Sequence, residues 1–573
     1  MRFIVVTSLL LGSVLVRSVE LKESYPRIFT PLGGIEGLYE VSNAGRLYAA
    51  YKGIPYAEPP IGDSRFRAPK PISPWMRVLN AKEFGSSCME FAPVPTPDPE
   101  DMVTGSEDCL YLDIYAPIMN RSDGITSSAN SLPIILFIHG GAFQFGTGSL
   151  YGPKYLLDYD VILVTINYRL GPLGFLSTED ETIAGNMGLK DQVIAMSWVK
   201  DNIVFFGGDP NRITIIGQSA GGASVQYHYL SKLSVGLFQR GMSISGTALN
   251  CWAQTEGSLE KAKKLANIVG CPTNGVQDMV DCLRTRPARL ITRAIGDFMP
   301  WLENPAAPFG PVVEKGCSDF AFIDQPPAEI LASGKVQDLP WITTVVSEEG
   351  LFTAGEFMAN ETLLRELNDN WDYLAPFLLD FNYTIPQIHH RKVARLIKGH
   401  YLGTRQIDNS TVEQIVRMIG DRLFVYDAEE AARLQARANR NPVRFYYFTY
   451  RGAHSMSEEF TGVQENFGVS HLDDLPYVLD VIFDPTTTPR DRAMQRVMLN
   501  LWVSFASSAT PELGVEWSTV EPFDEELRYL RIASPDEIRM DGNANFGDKH
   551  FWLSIPFREN IPITVTGTRI RSN

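Results

Sequence analysis

Positive charge is scarce in this chain. Over 573 residues, 51 lysines and arginines face 67 aspartates and glutamates, a formal net charge of −16. That balance excludes binding to nucleic acid or to an anionic membrane through bulk charge. Histidine and cysteine are also rare, at eight and six residues. None of them falls into a metal-ligand spacing, and no glycine-rich phosphate loop is present, so no metal and no cofactor is expected. No Gly/Ser linker, low-complexity block or internal repeat divides the chain. A membrane span of about 20 apolar residues is missing as well. The nearest approach, Phe3 to Val16 behind Met1-Arg2, is shorter and runs into Val16-Arg17-Ser18. Residues 1–18 therefore read as a signal peptide, and residues 19–573 as a single secreted, extracellular domain. The C-terminal Arg569-Ile570-Arg571-Ser572-Asn573 is neither a retention signal nor the tail of a lipid anchor, so no membrane anchor is expected.

What is present is ordinary globular composition, 44% hydrophobic and 21% charged. Apolar runs of strand length, Leu132–Ile138, Val161–Ile166, Arg212–Ile216 and Trp341–Val346, alternate with segments of helical period, Asp191–Val204 and Asp491–Ser507. This alternation predicts an α/β fold with a mostly parallel central sheet flanked by helices. Met494, Val497, Met498, Trp502 and Phe505 fall at helical spacing and are expected in the core.

Chemistry enters at Gly217-Gln218-Ser219-Ala220-Gly221, between a strand-like and a helix-like run. Small residues on both sides of a serine suit the sharp strand-to-helix turn of a nucleophile elbow, which leaves no room for bulky neighbours. The following helix N-terminus favours negative charge beside the serine. Upstream, the run Leu132–Ile138 leads directly into His139-Gly140-Gly141-Ala142. Adjacent glycines allow the amides of Gly140 and Gly141, with that of Ala220, to converge on an oxyanion. His139 is expected to hold this loop by hydrogen bonding.

A hydrolytic serine needs a base. His228 lies on the helix after the elbow, and His389, His390 and His400 lie in a charged helical segment. His471, in the glycine-containing loop Asn466–Leu475, is the better candidate. With the chain order serine, acid, histidine, the acid belongs between them. The strand-like Trp341–Val346 ends in Ser347-Glu348-Glu349-Gly350, which points to Glu349.

These segments, together with Gly105-Ser106-Glu107-Asp108-Cys109-Leu110, Asn167-Tyr168-Arg169-Leu170-Gly171 and Gly185–Gln192, resemble the type-B carboxylesterase/cholinesterase family, from about Pro26 to about Pro556. The resemblance implies an α/β-hydrolase fold and a serine esterase. Its triad would be Ser219, Glu349 and His471, with Gly140, Gly141 and Ala220 as oxyanion donors, and it selects Glu349 over Glu348. It also implies disulfides Cys88–Cys109 and Cys271–Cys282, a structural ion pair between Arg65 and Glu107, and a monomer or weak dimer. Cys251 and Cys317 are left to pair or to stay free.

Within the family, Gly141–Gly146, Ser245–Trp252 and Tyr450–Ser455 look most like the venom carboxylesterases of bees and wasps, some of them allergens. Gln218 is instead the residue usual at the elbow of juvenile hormone esterases. Cholinesterases differ: the loop from Cys88 to Cys109 lacks the tryptophan that holds their choline cation. A non-catalytic adhesion relative would usually have lost the serine. Entry into the secretory pathway makes glycosylation expected at the sequons of Asn120, Asn360, Asn382 and Asn409. The partner is expected to be a small ester. Loops 298–302 and 307–311, rich in aromatic and aliphatic residues, suggest an apolar one.

Overall fold

The computed structural model describes residues 25–91, 102–118, 131–316 and 320–560. The expected signal peptide, Asn120 and Cys317 lie outside the described residues.

Eleven strands form the main sheet: β1 (Leu38–Val41), β2 (Leu47–Pro55), β3 (Tyr111–Pro117), β4 (Leu132–Ile138), β5 (Ile162–Ile166), β6 (Gly208–Gln218), β7 (Arg240–Ile244), β8 (Trp341–Val346), β9 (Val443–Phe448), β10 (Leu527–Ser534) and β11 (Glu537–Asn543). Their spatial order is β11-β10-β9-β8-β7-β6-β4-β5-β3-β2-β1. Pairing is parallel from β10 through β5 and antiparallel at both margins, where β1, β2 and β3 add to β5 and β11 adds to β10. The sheet is thus mostly parallel, with hairpin-like margins that the apolar runs did not announce.

Strand β4 shows why such a run makes a central strand. Ile134, Leu136 and Ile138 enter one core, while Ile135 and Phe137 enter the other. A strand buried on both faces has no polar face to display. Helices cover both faces. Among them are α1 (Met187–Asn202), α2 (Ala220–Leu230), α3 (Leu351–Met358), α4 (Trp371–Leu378) and α5 (Pro489–Ser508). Leu189, Met196 and Val199 of α1 and Val225 of α2 pack on the first core. Met494, Met498, Trp502 and Phe505 of α5 pack on the second, with Val497 partly buried against it.

Both helices expected from periodicity are present with shifted ends. Helix α5 starts at Pro489 because Thr488 caps it: the hydroxyl accepts from the Asp491 amide and the Asp491 carboxylate accepts from that of Thr488. Such a cap contributes about 1 kcal/mol. Helix α1 starts at Met187, after Asn186 in the left-handed region, and gives way at Ile203 to a tighter 3₁₀ turn.

Cys88 is bonded to Cys109 and Cys271 to Cys282; Cys251 is unbonded. Arg65 grips Glu107 through Nε at 2.5 Å and Nη2 at 2.6 Å, and Nη1 donates to the Arg284 carbonyl. Among the described residues no helix is long and apolar enough to cross a membrane.

Candidate active site

Three parallel strands end at the same edge of the sheet, and each hands the chain to a segment singled out above. Strand β4 runs into His139-Gly140-Gly141, β6 into Ser219, and β8 into Ser347–Gly350. Their register makes neighbours of these segments: Ile138 pairs with Gly217, Gln218 with Ile244, and Ile244 with Thr344. Loop 468–471 joins the same edge through a parallel bridge between Ser470 and Glu348.

Ser219 sits between β6 and α2 at φ 58°, ψ −123°. A non-glycine residue held there costs of order 1–3 kcal/mol and persists only where its surroundings over-determine it. They do: its amide donates to the Ile244 carbonyl at 2.7 Å, and its carbonyl accepts from the Ala223 amide at 2.9 Å. Bulk is excluded on both flanks. A Cβ on Gly217 would lie 2.2 Å from the Gly221 carbonyl oxygen, and one on Gly221 would lie 2.0 Å from that of Ile138. The serine is left 5% exposed, in the wall of a cavity.

Gly141 takes φ +102°, which turns the loop after β4 back on itself. Gly140 lies against the serine, since a Cβ there would approach Ser219 Cβ to 3.0 Å. The amides of Gly141 and Ala220 find no backbone acceptor among the described residues, whereas the Gly140 amide is directed at the Tyr151 hydroxyl. His139 is not in the cavity. Its Nδ1 meets the Gly140 carbonyl at 2.8 Å, its ring stacks on Tyr168 with centroids 4.4 Å apart, and burial pushes its pKa down to about 4.

His471 and Glu349 are brought together, Nδ1 to Oε2 at 2.6 Å, with both residues at most 1% exposed. The other Glu349 oxygen accepts from the Val346 amide at 2.8 Å. Glu348 points elsewhere: its carboxylate accepts from the Val469 amide at 2.7 Å and so ties down the loop that carries His471. On its far side, His471 Nε2 meets the Gln218 amide nitrogen at 2.8 Å. With Nδ1–H given to Glu349, Nε2 is the acceptor of that bond. Asp474 lies beneath, its carboxyl pushed up to about 6, chiefly by burial, and bonded to the Tyr446 hydroxyl at 2.8 Å.

Three other histidines make structural hydrogen bonds. His228 is buried between Ser234 and Gln192, and His390 bonds the Ile385 carbonyl. His400 meets Asp548, and His389 is exposed on the helix Gln387–Leu402. Of the sequons, Asn360 and Asn409 are exposed and Asn382 is partly exposed.

The cavity at Ser219 measures about 420 Å³. Its walls are mainly apolar, including Ala142, Trp252, Phe352, Phe377, Leu423 and Phe424. Phe424 and Phe352 also lie against the His471 ring, with centroids 4.7 and 5.2 Å away. Of the two loops expected as walls, 307–311 contributes Ala307, while Met299 of the other lines an adjoining cavity. Sequence reasoning missed Phe424. It sits in a π-helical turn, Asp421–Val425, whose Leu423 carbonyl accepts from Trp252 Nε1 at 2.7 Å. Such turns recur at functional sites, but the apolar pattern there gives no sign of one.

The site thus holds a strained serine beside the unpaired amides of Gly141 and Ala220, an imidazole anchored by a buried carboxylate, and an apolar cavity, an arrangement suited to acyl transfer. Comparison with known proteins agrees. Residues 24–552 match the profile of the carboxylesterase family. Venom carboxylesterase-6 of Apis mellifera is 50% identical over 537 residues, covering 93% of this chain and 95% of that one. A carboxylic ester hydrolase of Bombus ignitus is 48% identical over 540 residues, covering 94% and 95%. The crystal structure of juvenile hormone esterase from Manduca sexta, with OTFP covalently attached, superposes with a TM-score of 0.80 at 28% identity over 93% of this chain and 99% of that one. The chain belongs to the carboxylesterase family and is a carboxylic ester hydrolase.

Proposed function

We propose that this esterase hydrolyses small, apolar carboxylic esters through an acyl-enzyme on Ser219, with His471 as general base and Glu349 holding its tautomer. The reading rests above all on the strained Ser219 facing an apolar cavity next to the His471–Glu349 pair. To react, His471 Nε2 releases the Gln218 amide and takes the proton of the serine hydroxyl as Oγ bonds to the ester carbonyl carbon. The amides of Gly140, Gly141 and Ala220 receive the oxyanion. The tetrahedral species collapses, the alcohol leaves with the proton from Nε2, and water repeats the attack to free the acid.

The same proposal makes the protein a secreted, glycosylated venom component, possessing the allergenic character of some such enzymes and acting as a monomer or weak dimer. The 50% identity to the Apis mellifera venom enzyme supports the venom role. A second reading, hydrolysis of a juvenile hormone methyl ester, is favoured by Gln218 at the elbow and by the likeness to the Manduca sexta enzyme. A non-catalytic adhesion role gains no support while Ser219, Glu349 and His471 are all retained.

The test is kcat/KM on short-chain aryl esters and on juvenile hormone side by side. Rapid aryl-ester turnover with weak hormone hydrolysis is expected. Strong preference for the hormone moves the assignment to the second reading, and silence on both overturns the catalytic one.

A further inference from the structure

Beside the Ser219 cavity lies a second one of about 400 Å³. Asn304, Ala306, Phe352 and Thr353 line both, so the two share a wall. The second differs in holding two carboxyls, Glu303 and Glu356, among Phe91, Phe145 and Met299. We propose that this cavity is a subsite for an N–H-bearing ammonium group, carried by an ester whose carbonyl lies at Ser219, with Glu303 and Glu356 as its acceptors.

The charge balance of the cavity favours such a guest. Among the described residues no lysine, arginine or histidine lines it. Burial, and then the neighbouring Glu356, push the Glu303 carboxyl well above the usual range, and burial raises Glu356 as well. The two carboxyls thus line the cavity with no cationic side chain among its described lining residues. A primary ammonium supplies the missing positive charge and its N–H donors, and the lining phenylalanine rings offer cation–π attraction.

An independent sign comes from Asn304, which is 3% exposed and whose Nδ2 has no hydrogen-bond acceptor among the described residues. A buried amide hydrogen left unpaired is costly. It lies on the shared wall, where a carbonyl or ether oxygen of a ligand spanning both cavities would satisfy it.

The inference rests on Ser219 as the reacting centre, so binding is read both with and without turnover. The probes are n-hexylammonium, its neutral isostere hexan-1-ol, and N,N,N-trimethylhexylammonium, which has no N–H to donate. Each is tested as an inhibitor of 4-nitrophenyl acetate hydrolysis and, independently, by calorimetric titration. Hexylammonium is expected to bind at least tenfold more tightly than either control. Glu303→Gln/Glu356→Gln should lose that preference while hydrolysing 4-nitrophenyl acetate within twofold of the parent, and Glu356→Gln alone should move in the same direction. Equal affinity for hexylammonium and hexanol, or an undiminished preference in the variants, would overturn the subsite. Absence of ester hydrolysis with the calorimetric preference intact would overturn the proposed function and leave the subsite standing.

Discussion

Gln218 donates its side-chain amide to His471 Nε2 at 2.8 Å, so the residue just before the candidate nucleophile occupies the lone pair that the nucleophile's proton needs. The amide carries no charge and competes with an added proton for the Nε2 lone pair. Gln218→Glu would place a carboxylate there and favour the imidazolium. Protonation of the imidazole sets the acid limb of the rate profile, and an adjacent opposite charge shifts such a group by about one unit or more. The acid limb of kcat/KM for the glutamate variant should therefore move to higher pH, with activity lost sooner on acidification. A superimposable pH profile would remove Gln218 from the environment of the base.

The neighbouring glutamates Glu348 and Glu349 separate into two duties. Glu349→Gln keeps the shape but removes the charge that anchors Nδ1–H, and should lower kcat by about three to four orders of magnitude. Glu348→Gln weakens only the tie to Val469, so it should cost about tenfold or less. Steady-state kinetics on one aryl ester compares the two directly, and a reversed ranking would transfer the role of the acid to Glu348.

How much of this was legible beforehand depends on the range of the interaction. Ser219 could be read because an elbow is local: Gly217 and Gly221 must be small whatever surrounds them. The strands β4 and β8 could be read because burial on both faces writes a continuous apolar run. The contact between Gln218 and His471 joins residues 253 positions apart and leaves no local trace. Phe424 reaches the His471 ring only because a π-helical turn shifts the helix register at Asp421–Val425. Glu348 reads as a spare acid in the sequence, and only the approach of Val469 gives it work as a clamp.

Stability should depend most on buried charge. Arg169 meets Asp191 through Nε at 2.8 Å and Nη2 at 2.7 Å, with Asp191 fully buried. Asp191→Ala strands the guanidinium, and breaking such a pair from one side costs about 3–5 kcal/mol. The expected result in denaturant titration is a large loss. A change below about 1 kcal/mol would mean that water enters and solvates the arginine.

His228 supplies a pH signature. Burial pushes its pKa down to about 3, whereas a histidine in the unfolded chain titrates near 6.5, about the ordinary value. As pH falls below the unfolded value, the unfolded chain takes up a proton that the folded protein refuses, so this residue lowers stability progressively towards acid. His228→Gln should be less stable than the parent at pH 7, with the difference narrowing as pH falls from about 6.5 to 4. Thermal unfolding of both proteins across that range reads it, and a pH-independent gap would contradict it.

The central claim is that Ser219 forms the acyl-enzyme. The most direct measurement is kcat/KM for 4-nitrophenyl acetate with the wild-type protein and Ser219→Ala, both shown by circular dichroism to be folded. Loss of about four to six orders of magnitude is expected, in line with the removal of a catalytic serine; a folded alanine variant within tenfold of wild type would contradict it.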